Sequence, residues 1–139
     1  CFVTTDGCGN YAILLYNYHH FSSLYAQGIL LDSSPESRYD VFGTTRSIEV
    51  CLQISDVPDG TYRLKEYIVS RDYGSSYDEW VRMGSVPLEE KQDIELLNRR
   101  STPFLSQLAL EVSGGVLTHY AKLQPHEIRL IKIVNVNGS

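Results

Sequence analysis

Between Ser47 and Ser55 the run SIEVCLQIS sets Ile48, Val50, Leu52 and Ile54 at every second position, with Glu49, Cys51 and Gln53 between them. A period of two buries one face of a strand and wets the other, so this is the clearest strand in the chain. Pro58 and Asp59-Gly60 then supply a tight reversal, and TYRLKEYIVS resumes the alternation, so residues 47–70 are expected to form a β-hairpin. A second hairpin is expected where FLSQLALEV places Leu108, Leu110 and Val112 on one face, Gly114-Gly115 turns the chain and VLTHYAKL returns. Gln124-Pro125 breaks the run before a last strand, HEIRLIKIVNV. It carries Ile128 and Leu130 on one side and Arg129, Ile131 and Ile133 on the other. An earlier strand is expected at YAILLYNY, residues 11–18.

The middle of the chain has the helical signals. Ser76 followed by Glu79 reads as a capping box opening a short helix to about Met83, with Gly84 suited to its end. Pro87 fits the first turn of a second helix, PLEEKQDIELLNRRS. Glu89 and Glu90 stand early in it and Arg99 and Arg100 late, as the helix dipole favours, and Leu88, Ile94 and Leu97 form an apolar stripe. The fold class expected is mainly β: an antiparallel β-sandwich with a two-helix insertion at about residues 75–101. The 139 residues are read as one domain, with the whole excursion spanning 73–103.

Composition narrows the function classes. The net charge of −5 and the scattered Lys and Arg give no basic footprint for a phosphate backbone, so no direct nucleic-acid contact is expected from this segment. No apolar run reaches the roughly 18–20 residues that span a bilayer, and CFVTTDGCGN has no signal-like core, so a cytoplasmic location is expected. The first residue is Cys1, which reads as a piece cut from a longer chain. Cys1, Cys8 and Cys51 follow no CxxC pattern and are expected to be free thiols.

Candidate chemistry is sparse. His19 and His20 at a strand end point to opposite faces, so neither they nor His119 and His126 are expected to hold a metal, and no cofactor is expected. The four are read as surface or rim histidines, hydrogen-bonded locally. There is no G-x-S-x-G elbow, Cys-His signature or phosphate loop. Asp78 and Glu79 beside Trp80 have the acid-and-aromatic mixture of a sugar cleft, but adjacent helical residues diverge by about 100°, and Glu79 is assigned to the cap. Of the ten tyrosines, Tyr16, Tyr18, Tyr62 and Tyr67 fall in strand register, as a sandwich core would place them. No catalytic residue is assigned.

Longer motifs carry a resemblance. YAILLYNYHHFSSLY, RYDVF, VPDGTYRLKEYIVSRDYGSSYDEWVRMG and LQPHEIRLIKI, in this order from about Asn10 to Val134, resemble the C-terminal β-sandwich region of glycoside hydrolase family 39, the β-xylosidase family. The resemblance implies a (β/α)8 barrel before the sandwich, with two catalytic glutamates of a retaining mechanism on that barrel. The family's Asn-Glu acid/base pair does not occur here, and a barrel of roughly 250 residues cannot fit. The wording of YDVF and KEYIVSRDYGSSYDEW is also similar to the tail of bacterial AraC-type transcriptional regulators, where a helix-turn-helix domain precedes a xylosidase-like module.

Three functions follow as expectations. The first is a non-catalytic accessory domain packed on a barrel of the same chain, whose parent is a possible xylan 1,4-β-xylosidase. The others are the sensor-side end of a regulator and an independent carbohydrate-binding module. Within the excursion, Tyr77, Trp80, Val81, Met83, Leu88, Ile94 and Leu97 are the candidate docking residues, toward the barrel or a second copy of the chain.

Overall fold

The computed structural model describes residues 1–29 and 34–136. Strands β1 (Phe2–Thr5) and β2 (Tyr11–Tyr16) lead to helix α1 (Ser23–Ala26) and a 3-10 turn at Arg38–Phe42. After them come β3 (Ile48–Ser55), β4 (Gly60–Val69), α2 (Ser76–Arg82), α3 (Lys91–Arg100), β5 (Phe104–Val112), β6 (Val116–Leu123) and β7 (Ile128–Asn135). Five strands pair antiparallel in the order β1-β2-β7-β4-β5, and β3 pairs with β6 in a second, two-stranded sheet. This is an antiparallel β-sandwich with a helical insertion between β4 and β5.

Strand periodicity places the core. Ile48, Val50, Leu52 and Ile54 are half-buried while Glu49, Cys51, Gln53 and Ser55 are exposed, the alternation expected of β3. They pack on Ile13, Leu15, Tyr62, Leu64, Ile131 and Ile133 of the larger sheet. Full burial of such a side chain contributes about 1.5–3 kcal/mol, so the layer between the sheets supplies most of the cohesion.

Neither expected hairpin forms. Strand β3 pairs with β6, and β4 pairs with β5 and β7, so the chain changes sheets at residues 56–59 and again at Gly114-Gly115. A Pro-Asp-Gly signal dictates reversal but not the plane of reversal. Here the two turns lie together: the Val57 amide donates to the Gly115 carbonyl at 3.0 Å, and the Gly115 amide donates to the Asp59 carboxylate at 3.0 Å. Val57 is thereby buried in the core, and an arch over the sandwich edge replaces a hairpin.

Other boundaries moved for local reasons. Strand β2 ends at Tyr16 rather than residue 18, because Asn17 turns inward and its amide donates to the carbonyls of Arg46 and Gln124 at 2.8 and 3.1 Å. Tyr16 and Tyr18 are exposed, not core; Tyr62 is fully buried. Strand β1, α1 and the 3-10 turn were not expected. Strand β1 is exposed at all its residues, so it carries no burial pattern to read.

Helix α2 is capped by Ser75 rather than Ser76, with the Asp78 amide donating to its hydroxyl at 3.2 Å. It closes in a Schellman arrangement, in which Gly84 at φ 90 and Ser85 donate to the Val81 and Trp80 carbonyls. Helix α3 starts at Lys91, four residues after Pro87. Just before Pro87, the Trp80 indole N–H donates to the Val86 carbonyl at 2.7 Å and ties the connection to α2.

Candidate functional site

The insertion is a cap across one end of the sandwich, and its apolar side chains are divided between inside and outside. Leu97 is buried; Tyr77, Trp80, Val81 and Met83 are half-buried; Leu88 and Ile94 are exposed. Tyr77 packs its ring on Trp80, 5.9 Å between centroids, and donates its hydroxyl to the Pro35 carbonyl at 2.9 Å. Tyr77 therefore ties α2 to the 34–42 segment, and Trp80 ties it to its own C-terminal turn through the Val86 carbonyl. Leu88 and Ile94 are the members left facing outward.

Beneath α2 lies a cleft of about 300 Å³ whose walls include Tyr39, Arg71, Asp78, Arg82 and His126. Asp78 is its centre. The buried carboxylate accepts from the Ser75 hydroxyl at 2.5 Å, the Tyr39 hydroxyl at 2.9 Å and Arg71 Nε at 3.1 Å. The Arg71 guanidinium lies 3.8 Å above the Tyr39 ring. Burial, reinforced by the Asp78 carboxylate, pushes the Tyr39 phenol up to about 12. The Ser75 hydroxyl accepts from the Asp78 amide and donates to the Asp78 carboxylate, so the acid paired with the capping serine is Asp78 and not Glu79. Glu79 faces away, pairing with Arg82 at 3.1 Å and Arg100 at 3.7 Å.

Retaining glycoside hydrolysis needs two carboxyl groups about 5–5.5 Å apart across one sugar ring, one of them free to give up a proton. Asp78 and Glu79 do not supply that pair. Asp78 is committed to three donors that join α2, the end of β4 and the 3-10 turn, and Glu79 serves the helix surface. The arrangement can hold three segments together.

At the cleft edge His126 stands at φ 63, within 4.3 Å of the Phe42 ring centroid and 5.3 Å of the His19 ring centroid. The expected local hydrogen bonds of these two histidines are missing at one atom each: Nε2 of His19 and of His126 is buried without a partner. Burial, together with the neighbouring His19 and Arg71, holds His126 below the ordinary imidazole value. His119 is different, with Nε2 at 3.2 Å from the Glu66 carboxylate. Among the described residues, no three of His, Cys, Asp and Glu converge as metal ligands would. All three cysteines are exposed and free.

A second polar cluster sits between the sheets. Arg129 reaches Glu66 at 3.0 Å and Glu127 at 2.6 Å, and donates to the Lys122 carbonyl at 3.0 Å; the Gln124 amide donates to Glu127 at 2.9 Å. The His119 contact and the Arg129 charge hold the Glu66 carboxyl below the usual carboxylate range. This cluster was legible in part, because Glu66 shares strand parity with Tyr62 and Leu64, and Arg129 shares it with Ile131 and Ile133. A charge at a core position marks a buried pair. Tyr39 and Arg71 gave no such signal, since they lie outside any periodic run.

Both clusters are built from the motifs that carry the family resemblance, and comparison with known proteins bears on them. No family profile matches the sequence. Uncharacterised HTH-type transcriptional regulators from several Staphylococcus aureus strains are 28% identical over 134 residues, which is 96% of this chain and 16% of theirs. A GH39 enzyme from Xanthomonas axonopodis pv. citri superposes over 96% of this chain and 25% of its own with a TM-score of 0.71 at 15% identity. A monomeric β-xylosidase from Caulobacter crescentus does so over 96% of this chain and 26% of its own, with a TM-score of 0.66 at 19% identity. The sandwich has the fold of one region of these enzymes. The chain spans about a quarter of their length and about a sixth of the regulators'. No helix among the described residues is long and apolar enough to cross a membrane.

Proposed function

We propose that the chain is a non-catalytic accessory domain of a GH39-like protein, packed on a barrel of the same polypeptide and supporting its structure or assembly. The observation that carries this reading is the superposition of 96% of the chain on one quarter of a GH39 enzyme. The local chemistry agrees with it. The buried carboxylates of Asp78, Glu66 and Glu127 are each occupied by internal donors that join elements of the sandwich. Deletion of residues 1–139 from the full-length parent tests it. The remaining polypeptide is expected to lose thermal stability and solubility; unchanged stability, with any xyloside turnover retained, would overturn the reading.

A second reading has its own support. The matching sequences, 28% identical, are named HTH-type regulators, so the parent can be an AraC-type regulator in which this domain belongs to the sensor side. Gel-shift of DNA upstream of the parent's own coding sequence separates the two, since a retarded band supports the regulator and its absence retires it. The support role of the sandwich is the same in either parent.

A further inference from the structure

One half of the outer face of the larger sheet is an apolar band. Strand register aligns Phe2, Leu14, Leu130, Tyr67 and Leu105 side by side across all five strands. A second tier beside it aligns Tyr16, Ile128 and Val69. Phe2, Tyr16, Leu105 and Ile128 are exposed at 65%, 46%, 49% and 50%. The opposite outer face, on the two-stranded sheet, pairs Glu49 with Lys122 and Gln53 with Thr118, as a solvated face should. A contiguous apolar band on the outer face of an antiparallel sheet marks a surface that another element covers.

The same surface carries a basic strip. Lys65 and Lys132 are directly opposed in register, and Arg63 lies two residues along the same face. Directly opposed like charges destabilise a strand pair. None of the three forms an ion pair among the described residues. The strip is not complementary to itself, and what fits this face is an apolar surface rimmed by carboxylates.

We infer that this face, the Phe2–Leu105 row with its Lys65–Lys132 rim, is the seat of another folded module of the same polypeptide. About three quarters or more of each relative's chain lies outside the matched region, which supplies a module of the required kind. The inference rests on the accessory-domain reading and specifies the surface: the sheet face makes the apolar contact, and Leu88 and Ile94 of the insertion lie outside it. Lys65 and Lys132 then meet acidic side chains that relieve their opposition.

Site-specific photo-crosslinking in the full-length protein tests the assignment. A benzophenone amino acid is placed at Leu105 or Tyr16, and at Tyr120, which is 75% exposed on the other sheet, as the comparison. The expected result is an intrachain crosslink from Leu105 and Tyr16 to peptides outside residues 1–139, several-fold above that from Tyr120. A companion Lys65→Glu/Lys132→Glu variant should be cleaved several-fold faster by protease at the boundary between modules. Crosslinks to a second copy, or yields equal to those at Tyr120, would overturn the inference. Such a result leaves the deletion experiment to decide the accessory role itself.

Discussion

Replacing Arg129 by Met should unsettle the sandwich more than its single position implies. The guanidinium is nearly enclosed, with its side chain 11% exposed, and it pairs with both Glu66 and Glu127, whose side chains are 9% and 3% exposed. Removing one partner of a buried pair costs about 3–5 kcal/mol, because an uncompensated charge stays behind. The lost donor to the Lys122 carbonyl adds roughly 1 kcal/mol. Two contacts offset part of this: His119 still faces Glu66, and the Gln124 amide still donates to Glu127. The expected loss is therefore about 4 kcal/mol, a large share of the roughly 5–15 kcal/mol by which domains are stable. In thermal terms that is on the order of 12 °C for a chain of this size.

Urea denaturation of the variant, followed by circular dichroism and by the fluorescence of Trp80, the one tryptophan, measures the loss. Two controls sharpen it. Changing Glu66, Glu127 and Arg129 together to Leu removes the stranded charges and should recover most of the deficit. The Arg129→Met deficit should also shrink as pH falls through the usual carboxylate value of 4.5, because Arg129 helps to hold Glu66 below that value and the variant loses this contribution. A loss under about 1 kcal/mol, typical of exposed pairs, would refute the reasoning by showing that water reaches the cluster.

Asp78→Ala should destabilise by about 2 kcal/mol, because the Ser75 and Tyr39 hydroxyls and Arg71 lose a buried acceptor while the backbone cap on Ser75 stays, whereas Glu79→Ala should stay within about 0.5 kcal/mol; equal losses in denaturant titration would show that the Asp78 carboxylate holds no more than a surface acid does. His126 has a lowered folded-state value, so the unfolded chain binds its proton first, and stability should fall as pH drops from about 6.5 toward the folded value. His126→Asn, which keeps a residue suited to φ 63, should flatten that part of the melting-temperature profile, and an unchanged slope would assign it to another group. Trp80→Ala in the full-length parent should cost about 2 kcal/mol, since Trp80 is half-buried and loses its bond to Val86. A change in assembly state beyond that cost would support docking through the insertion, and unchanged stability and assembly would end that idea.

How much was legible in the sequence depends on what each residue answers to. Strand β3 could be read residue by residue because Ile48, Val50, Leu52 and Ile54 meet a core on one side and water on the other. Its partner could not. Asp59-Gly60 announces a reversal, and only the contact of Val57 and Asp59 with Gly115, more than fifty residues away, turns that reversal into an arch between sheets. The capping serine was misplaced by one position because Ser75 and Ser76 both precede an acid three residues on. Backbone geometry decides for Ser75, whose extended ψ of 105 orients its hydroxyl to the Asp78 amide. The cleft around Asp78 draws Tyr39 and Arg71 from segments with no periodicity, so local pattern could not assemble it. The apolar outer face was hidden for the opposite reason. Leu14, Leu130 and Tyr67 look like core residues in sequence, and only the register shows that they face away from the core.

The central proposal is that this sandwich supports a neighbouring module and has no reactive centre of its own. Hydrolysis of an aryl β-xyloside by the purified 139-residue chain, expressed in a host free of xylosidase, tests it most directly. No turnover above the uncatalysed rate is the expected result; saturable turnover that co-purifies with the chain and disappears on Asp78→Asn would contradict it.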